Sequence, residues 1–166
     1  INRFQTIIHE LNMTKFFNNK TMLTFLEEVF PQVNGKIEIM RLGTDFASVK
    51  LNTEESDLRP GGTVSGPSMF LLADVTFYIV VLAAIGKESL AVTTSCAINF
   101  LRKPDPTDLV ADARILKRGR RLIVGDVMLK SELSKEFVAH ATFTYSADSR
   151  MGIFIYVSLK LCNMKY

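Results

Sequence analysis

Tryptophan is absent from the 166 residues, and cysteine and histidine occur only twice each. Two cysteines, Cys96 and Cys162, cannot build a disulfide framework, and no second pair offers metal-ligand spacing. Cys96 falls in a strand-like apolar run, where a buried, inert thiol is expected. His9 and His140 lie far apart in sequence, which leaves little material for a zinc site or a Ser-His-Asp relay. No metal site is expected. Excess charge is scarce too: the net charge of +3 suits solubility or a local anion patch but is too weak to imply a nucleic-acid partner. The first residues, INRFQTIIHELNMTKFF, lack the basic, then apolar, then small-residue order of a secretion signal, so a cytoplasmic location is expected.

Long apolar runs are also few. One stands out, from Ser68 to Ile85. It is barely long enough to span a bilayer, carries Asp74 near its centre and sits between glycine-bearing turns, so a buried helix without a membrane partner is expected. A carboxylate in such a run either faces solvent by accident or does work.

The hydrophobic share of 48% and the length fit one domain with a real core. TMLTFLEEVF at 21–30 places Met22, Phe25, Leu26 and Val29 at helical spacing, with Pro31 beyond the end. IEIMRLGTDFASVKL reads as a hairpin from Lys36 to Leu51 around Gly43, and NTEESDLRPGGTVSGP as a polar loop. The apolar helix follows and stops at Gly86, a suitable cap. Four strands come after it. In the first, Leu90, Val92, Cys96, Ile98 and Phe100 alternate onto one face, and Thr93, Ser95 and Asn99 onto the other. In the last, Phe137, Ala139, Ala141, Phe143 and Tyr145 share a face opposite His140, Thr142 and Thr144. The expected class is α+β: an antiparallel sheet, its last four strands a meander, wrapped around one long central helix. The division is a helical segment at 1–35, the sheet-and-helix domain at 36–148, and a tail at 149–166 that could add a strand.

GGTVSGPSMFLLADV, VTTSCAINFLRKP, LVADARILKRGRRLIVGDV and VAHATFTYS, in that order and spacing, closely resemble the PaaI-type acyl-CoA thioesterases of the hot-dog fold. The resemblance covers roughly residues 36 to 148. It implies hydrolysis of an acyl-CoA thioester by a homodimer or a dimer of dimers, with coenzyme A entering as part of the substrate and no other cofactor. The family's acidic residue lies eight positions after the glycine of an HGG turn. Asp74 stands eight after Gly66, which gives it the role of nucleophile or general base. Gly66 matches the residue whose backbone N–H polarises the thioester carbonyl, and Thr93 matches a hydroxyl that orients water or the attacking group. Three positions depart from the pattern: Ser65 replaces the histidine, Pro67 the second glycine, and Arg59 a frequent asparagine. Proline at the first helical turn removes one donor and leaves the N–H groups of Gly66 and Ser68.

The residues support the same site independently. A helix start offers unpaired N–H groups and partial positive charge to a developing oxyanion. Eight residues at ~1.5 Å rise separate Asp74 from Gly66 by roughly 12 Å, so one carbonyl can touch both only if two chains share the site. Around Asp74, Phe70, Leu71, Phe77 and Tyr78 offer an acyl chain an apolar lining. Arg102 and Lys103, with Arg118 and Arg120 of the KRGRR turn beside Lys117 and Arg121, could hold the phosphates of coenzyme A, or could simply solvate a turn. Ser65 lacks the glycines of a nucleophile elbow and reads as a cap or substrate contact, as does Ser68. His140, without partner ligands, reads as a surface or interface residue. The expected function is acyl-CoA hydrolysis. The alternatives are a non-catalytic acyl-CoA-binding or sensing module, and more distantly a dehydratase, which would need a histidine that this helix lacks.

Overall fold

The computed structural model describes residues 17–86 and 91–147. Residues 1–16, 87–90 and 148–166, and with them His9, Leu90, Cys162 and the expected tail strand, lie outside that range.

Asn18 caps the first helix, α1 (Asn19–Val29), by accepting from the Thr21 N–H at 2.9 Å while the Thr21 hydroxyl receives the Asn18 N–H. Met22 and Leu26 bury one stripe of it, and Asn19 Nδ2 donates to the Ile39 carbonyl at 2.8 Å to dock the helix on the sheet edge. The hairpin β1 (Ile37–Leu42) and β2 (Phe46–Leu51) follows, then a short ribbon, β3 (Leu58–Arg59) and β4 (Thr63–Val64). The ribbon turns at Gly61 and Gly62, whose φ of 97° and 71° suit glycine. It delivers the chain to α2 (Gly66–Ile85), closed by Gly86 at φ 92°.

The strands β5 (Val92–Phe100), β6 (Leu109–Arg118), β7 (Leu122–Ser131) and β8 (Phe137–Ser146) complete an antiparallel six-stranded sheet. Its order is β1-β2-β6-β7-β8-β5, so the expected four-strand meander is corrected. Only β6, β7 and β8 meander; β5 crosses over to the far edge beside β8, and β6 is claimed by β2. Bulges near Met40, Thr94, Leu116 and Val138 curl the sheet around α2. Fourteen of the twenty α2 residues are buried. Its length and mean hydropathy of 2.2 would allow a membrane span, but 78% of that stretch is buried inside this fold. Gly125 lets the Phe77 ring of the helix lie directly on the sheet: a methyl there would overlap that ring and the Arg114 carbonyl.

Two bulges shift the expected faces. The Val138 bulge turns Phe137 away from the core, leaving it 49% exposed. The Thr94 bulge brings Thr93 onto the inner side with Cys96 and Ile98, since Thr93 pairs with buried Tyr145 and Cys96 with buried Phe143. Strict alternation had put Thr93 on the opposite face.

Candidate active site

Buried almost all round, α2 leaves one strip open: Pro67 and Phe70 are exposed, Leu71 and Asp74 half-buried. These four fall at i, i+3, i+4 and i+7, one helical face. It lies beside the edge strand β5, whose inward Cys96 and Ile98 are themselves only half covered. Cys96 is thus more accessible than its apolar run implied. Its thiol is pushed up by burial and then by the charge of Asp74, which keeps it protonated and a poor nucleophile.

Asp74 is held by two hydroxyls. Thr93 Oγ1 and Tyr145 Oη each donate to Asp74 Oδ1 at 2.8 Å, and Tyr145 Oη also reaches the Asp74 carbonyl at 3.4 Å. Among the described residues neither a hydrogen bond nor an ion pair engages Oδ2. Burial, followed by the charge of Asp74, drives the Tyr145 phenol far above its ordinary range, so it remains a proton donor. Tyr78, stacked on Tyr145 at 6.3 Å, is pushed up to about 12 by burial. The Phe77 ring meets Tyr145 edge-on at 5.4 Å and stacks on Phe143 at 5.5 Å, giving Asp74 an aromatic floor.

The helix start is built differently. Ser65 caps it, accepting from the Ser68 N–H at 3.3 Å, with the two hydroxyls 2.9 Å apart. Ser68 Oγ sits 2.9 Å from Oδ1 of Asp57, a buried acid only 3% exposed. Asp57 also accepts from the Glu54 N–H at 3.1 Å, approaches Lys36 at 3.9 Å, and binds the Ser65 N–H through its carbonyl at 2.8 Å. Ser65 and Ser68 are therefore engaged by the fold. Of the two donors expected at this turn, the Ser68 N–H is already taken, and Pro67 has none. The Gly66 N–H remains.

Beside Gly66 opens a cleft of about 340 Å³ lined by Arg59, Phe100, Arg102, Lys103 and Pro104 among others. The Phe100 ring lies 3.5 Å from where a Gly66 Cβ would stand. Arg59 Nε donates to Thr63 Oγ1 at 2.8 Å, and Arg102 pairs with Glu136 at 2.5 Å. Four residues expected from sequence, Arg59, Gly66, Arg102 and Lys103, thus meet in one place. Asp74 and Thr93 meet in another.

Arg118 and Arg120 belong to the second end. Arg118 pairs with Ile123, Ile123 with Tyr145, and Tyr145 with Thr93. At ~4.8 Å per strand Arg118 lies roughly 14 Å across the sheet from Thr93, whereas seven steps of β5 at ~3.3 Å put Phe100, just before Arg102, roughly 23 Å away along it. Within one chain the two basic groups cannot grip the same phosphate. His140 sits on the outer sheet face, 3.5 Å from Asp126, which Arg114 holds at 2.9 and 3.3 Å. A hollow of about 550 Å³ lies on that face, between Phe46, Arg114 and Phe137, and shares no lining residue with the Gly66 cleft. Among the described residues no cluster of three or more His, Cys, Asp or Glu could hold a metal ion.

Sequence reading missed Tyr145 and Asp57 as site members. A polar-tipped ring on an otherwise apolar strand face was the available signal for Tyr145. Asp57 lay in a polar loop and offered none.

The profile of the thioesterase superfamily matches residues 61–138. Among solved structures, a candidate thioesterase from Silicibacter sp. TM1040 is 51% identical, covering 78% of this chain and 91% of that one, with a TM-score of 0.73. A Streptococcus mutans protein bound to acetyl CoA is 27% identical over 69% of this chain and 90% of its own, with a TM-score of 0.62. A candidate esterase of Saccharolobus solfataricus is 29% identical over 61% of this chain; the match spans 65% of that relative, less than two thirds of its length.

Proposed function

This chain belongs to the thioesterase superfamily and has its hot-dog fold, and from that membership we propose that it hydrolyses acyl-CoA thioesters in sites shared by two copies. The observation that carries the reading is Asp74: a half-buried carboxylate on an apolar helix, with one oxygen held by Thr93 and Tyr145 and the other unengaged among the described residues. In one version Oδ2 takes a proton from water, the water oxygen bonds to the acyl carbon, and the carbonyl electrons move onto oxygen. That oxyanion is met by the Gly66 N–H. Its collapse breaks the C–S bond, and the departing thiolate recovers the proton. In the other, Oδ2 itself bonds to the acyl carbon, the thiolate leaves, and water then cleaves the anhydride. Neither version calls for a metal or an organic cofactor.

The spacing of Gly66 and Asp74 supports the two-copy site, and so does β5. It is an edge strand of nine residues without a charge or a proline to discourage pairing. Two copies related by a two-fold axis at this edge would set the Gly66 end of each against the Asp74 end of the other. That pairing would also bring Arg102 and Lys103 of one chain toward Arg118 and Arg120 of its mate, around the phosphates of coenzyme A. The acetyl-CoA-bound relative supports this ligand class.

A second reading, acyl-CoA binding without turnover, draws on Pro67 and on the Ser65–Ser68 bond, which together leave one donor for the oxyanion. Thiol release from a panel of acyl-CoA thioesters tests the proposal. Release that depends on Asp74 supports hydrolysis, and tight binding without release favours the second reading.

A further inference from the structure

We infer that Tyr145 is a positioning residue, one that fixes the carboxylate of Asp74 so that Oδ2 alone faces the substrate. The inference rests on the hydrolytic reading above and assigns a role in turnover to a side chain that takes no part in the steps of that reading.

Thr93 and Tyr145 are direct partners across the β5–β8 ladder, and their hydroxyls converge on the same oxygen from two strands. A carboxylate with one donor can still swing about χ2 and exchange its oxygens. Donors from two strands define the plane of the group. Tyr145 suits the task because it cannot move: it is 2% exposed and packed against Phe77, Tyr78 and Phe143. Its second contact, to the Asp74 carbonyl, ties the phenol to the helix backbone as well. Thr93 lacks such packing, since it sits half-buried on an edge strand next to a bulge. The rigid member of the pair is Tyr145.

Tyr145→Phe deletes the hydroxyl and keeps the ring. With an acyl-CoA that the parent hydrolyses, kcat is expected to fall about tenfold to hundredfold with KM changed less than about threefold, the loss that a hydrogen bond to a charged group commonly carries. A merely structural tyrosine would lower thermal stability and leave kcat of the folded enzyme at the parent value. Monofluorotyrosine at the same position keeps the donating hydroxyl and nearly the same shape, so it should hold kcat near the parent value, which tests the hydroxyl even if the Phe variant folds poorly. Unchanged kcat for Tyr145→Phe in an active parent background overturns the role of Tyr145. A parent that hydrolyses no acyl-CoA overturns the functional reading, and this role with it.

Discussion

Gly66 and Asp74 share one helix but not one opening. Gly66 borders the cleft of Phe100, Arg102 and Lys103, and Asp74 is bound to Thr93 and Tyr145. Eight residues at ~1.5 Å place them roughly 12 Å apart along the axis, several times the reach of a carbonyl group.

That separation has a sharp consequence for mixed dimers. Asp74→Asn removes the charge, and Gly66→Pro removes the N–H. Proline is tolerable at this first helical position because Ser65, before it, is already extended at φ −75° and ψ 154°. Each variant alone should be nearly inactive. Co-refolded, a heterodimer carries one doubly damaged site and one intact site, so a random mixture should recover about a quarter of parent turnover. Thiol release before and after mixing measures it, and no recovery from a mixture shown to exchange subunits would overturn the shared site.

Asp74→Asn on its own separates binding from turnover. The amide oxygen can still accept from Thr93 and Tyr145, so local packing should survive. A loss of about a thousandfold in kcat is expected from removing the group that moves the proton or attacks. Affinity for a thioether analogue of an acyl-CoA should stay within a few-fold of the parent. Near-parent turnover would remove Asp74 from the chemistry.

A stability effect is expected at the helix start. Asp57→Ala strips partners from the Ser68 hydroxyl and the Glu54 N–H in a buried setting and leaves Lys36 without its acid. The cost should be about 2–4 kcal/mol by urea unfolding. Ser65→Ala, which loses only the cap, should cost about 1 kcal/mol. Equal effects would mean that Asp57 does not organise the turn that presents the Gly66 N–H.

The long helix, its glycine cap and the strands of the six-stranded sheet were legible because apolar run length and period-two alternation are properties of consecutive residues, whereas the two-residue strands β3 and β4 were too short to show either and read as loop. The partner of β5 was not, because which edge a strand joins depends on what has already claimed its neighbours; here β2 occupies β6. Thr93 illustrates the same limit at the site. Its hydroxyl was expected near Asp74 only by resemblance, whereas alternation pointed it outward, and one inserted residue at Thr94 settled the matter. Arg59, Gly66, Arg102 and Lys103 were each found separately. That they line one cleft, with Arg118 and Arg120 at the other end, is a consequence of strand direction that no local pattern carries.

Acid should loosen the outer face of the sheet. Burial by itself would raise the pKa of Asp112, but hydrogen bonds from Lys130 at 2.6 Å and Ser48 at 2.7 Å, with the charges of Lys130 and Arg41, hold it below the ordinary carboxylate value. Asp126 is likewise held down, the bond and charge of Arg114 and then His140 outweighing its burial. A depressed folded-state pKa means that the unfolded chain binds protons first. The stabilisation is therefore complete above the unfolded value of about 4 and drains away as pH falls through the lower folded value. Asp112→Asn should reduce stability at neutral pH and flatten the decline below about pH 5. Urea midpoints for parent and variant across that range check it: parallel curves would show that the Asp112 carboxylate contributes no differential protonation between the two states, while convergence on the acid side is the expected result.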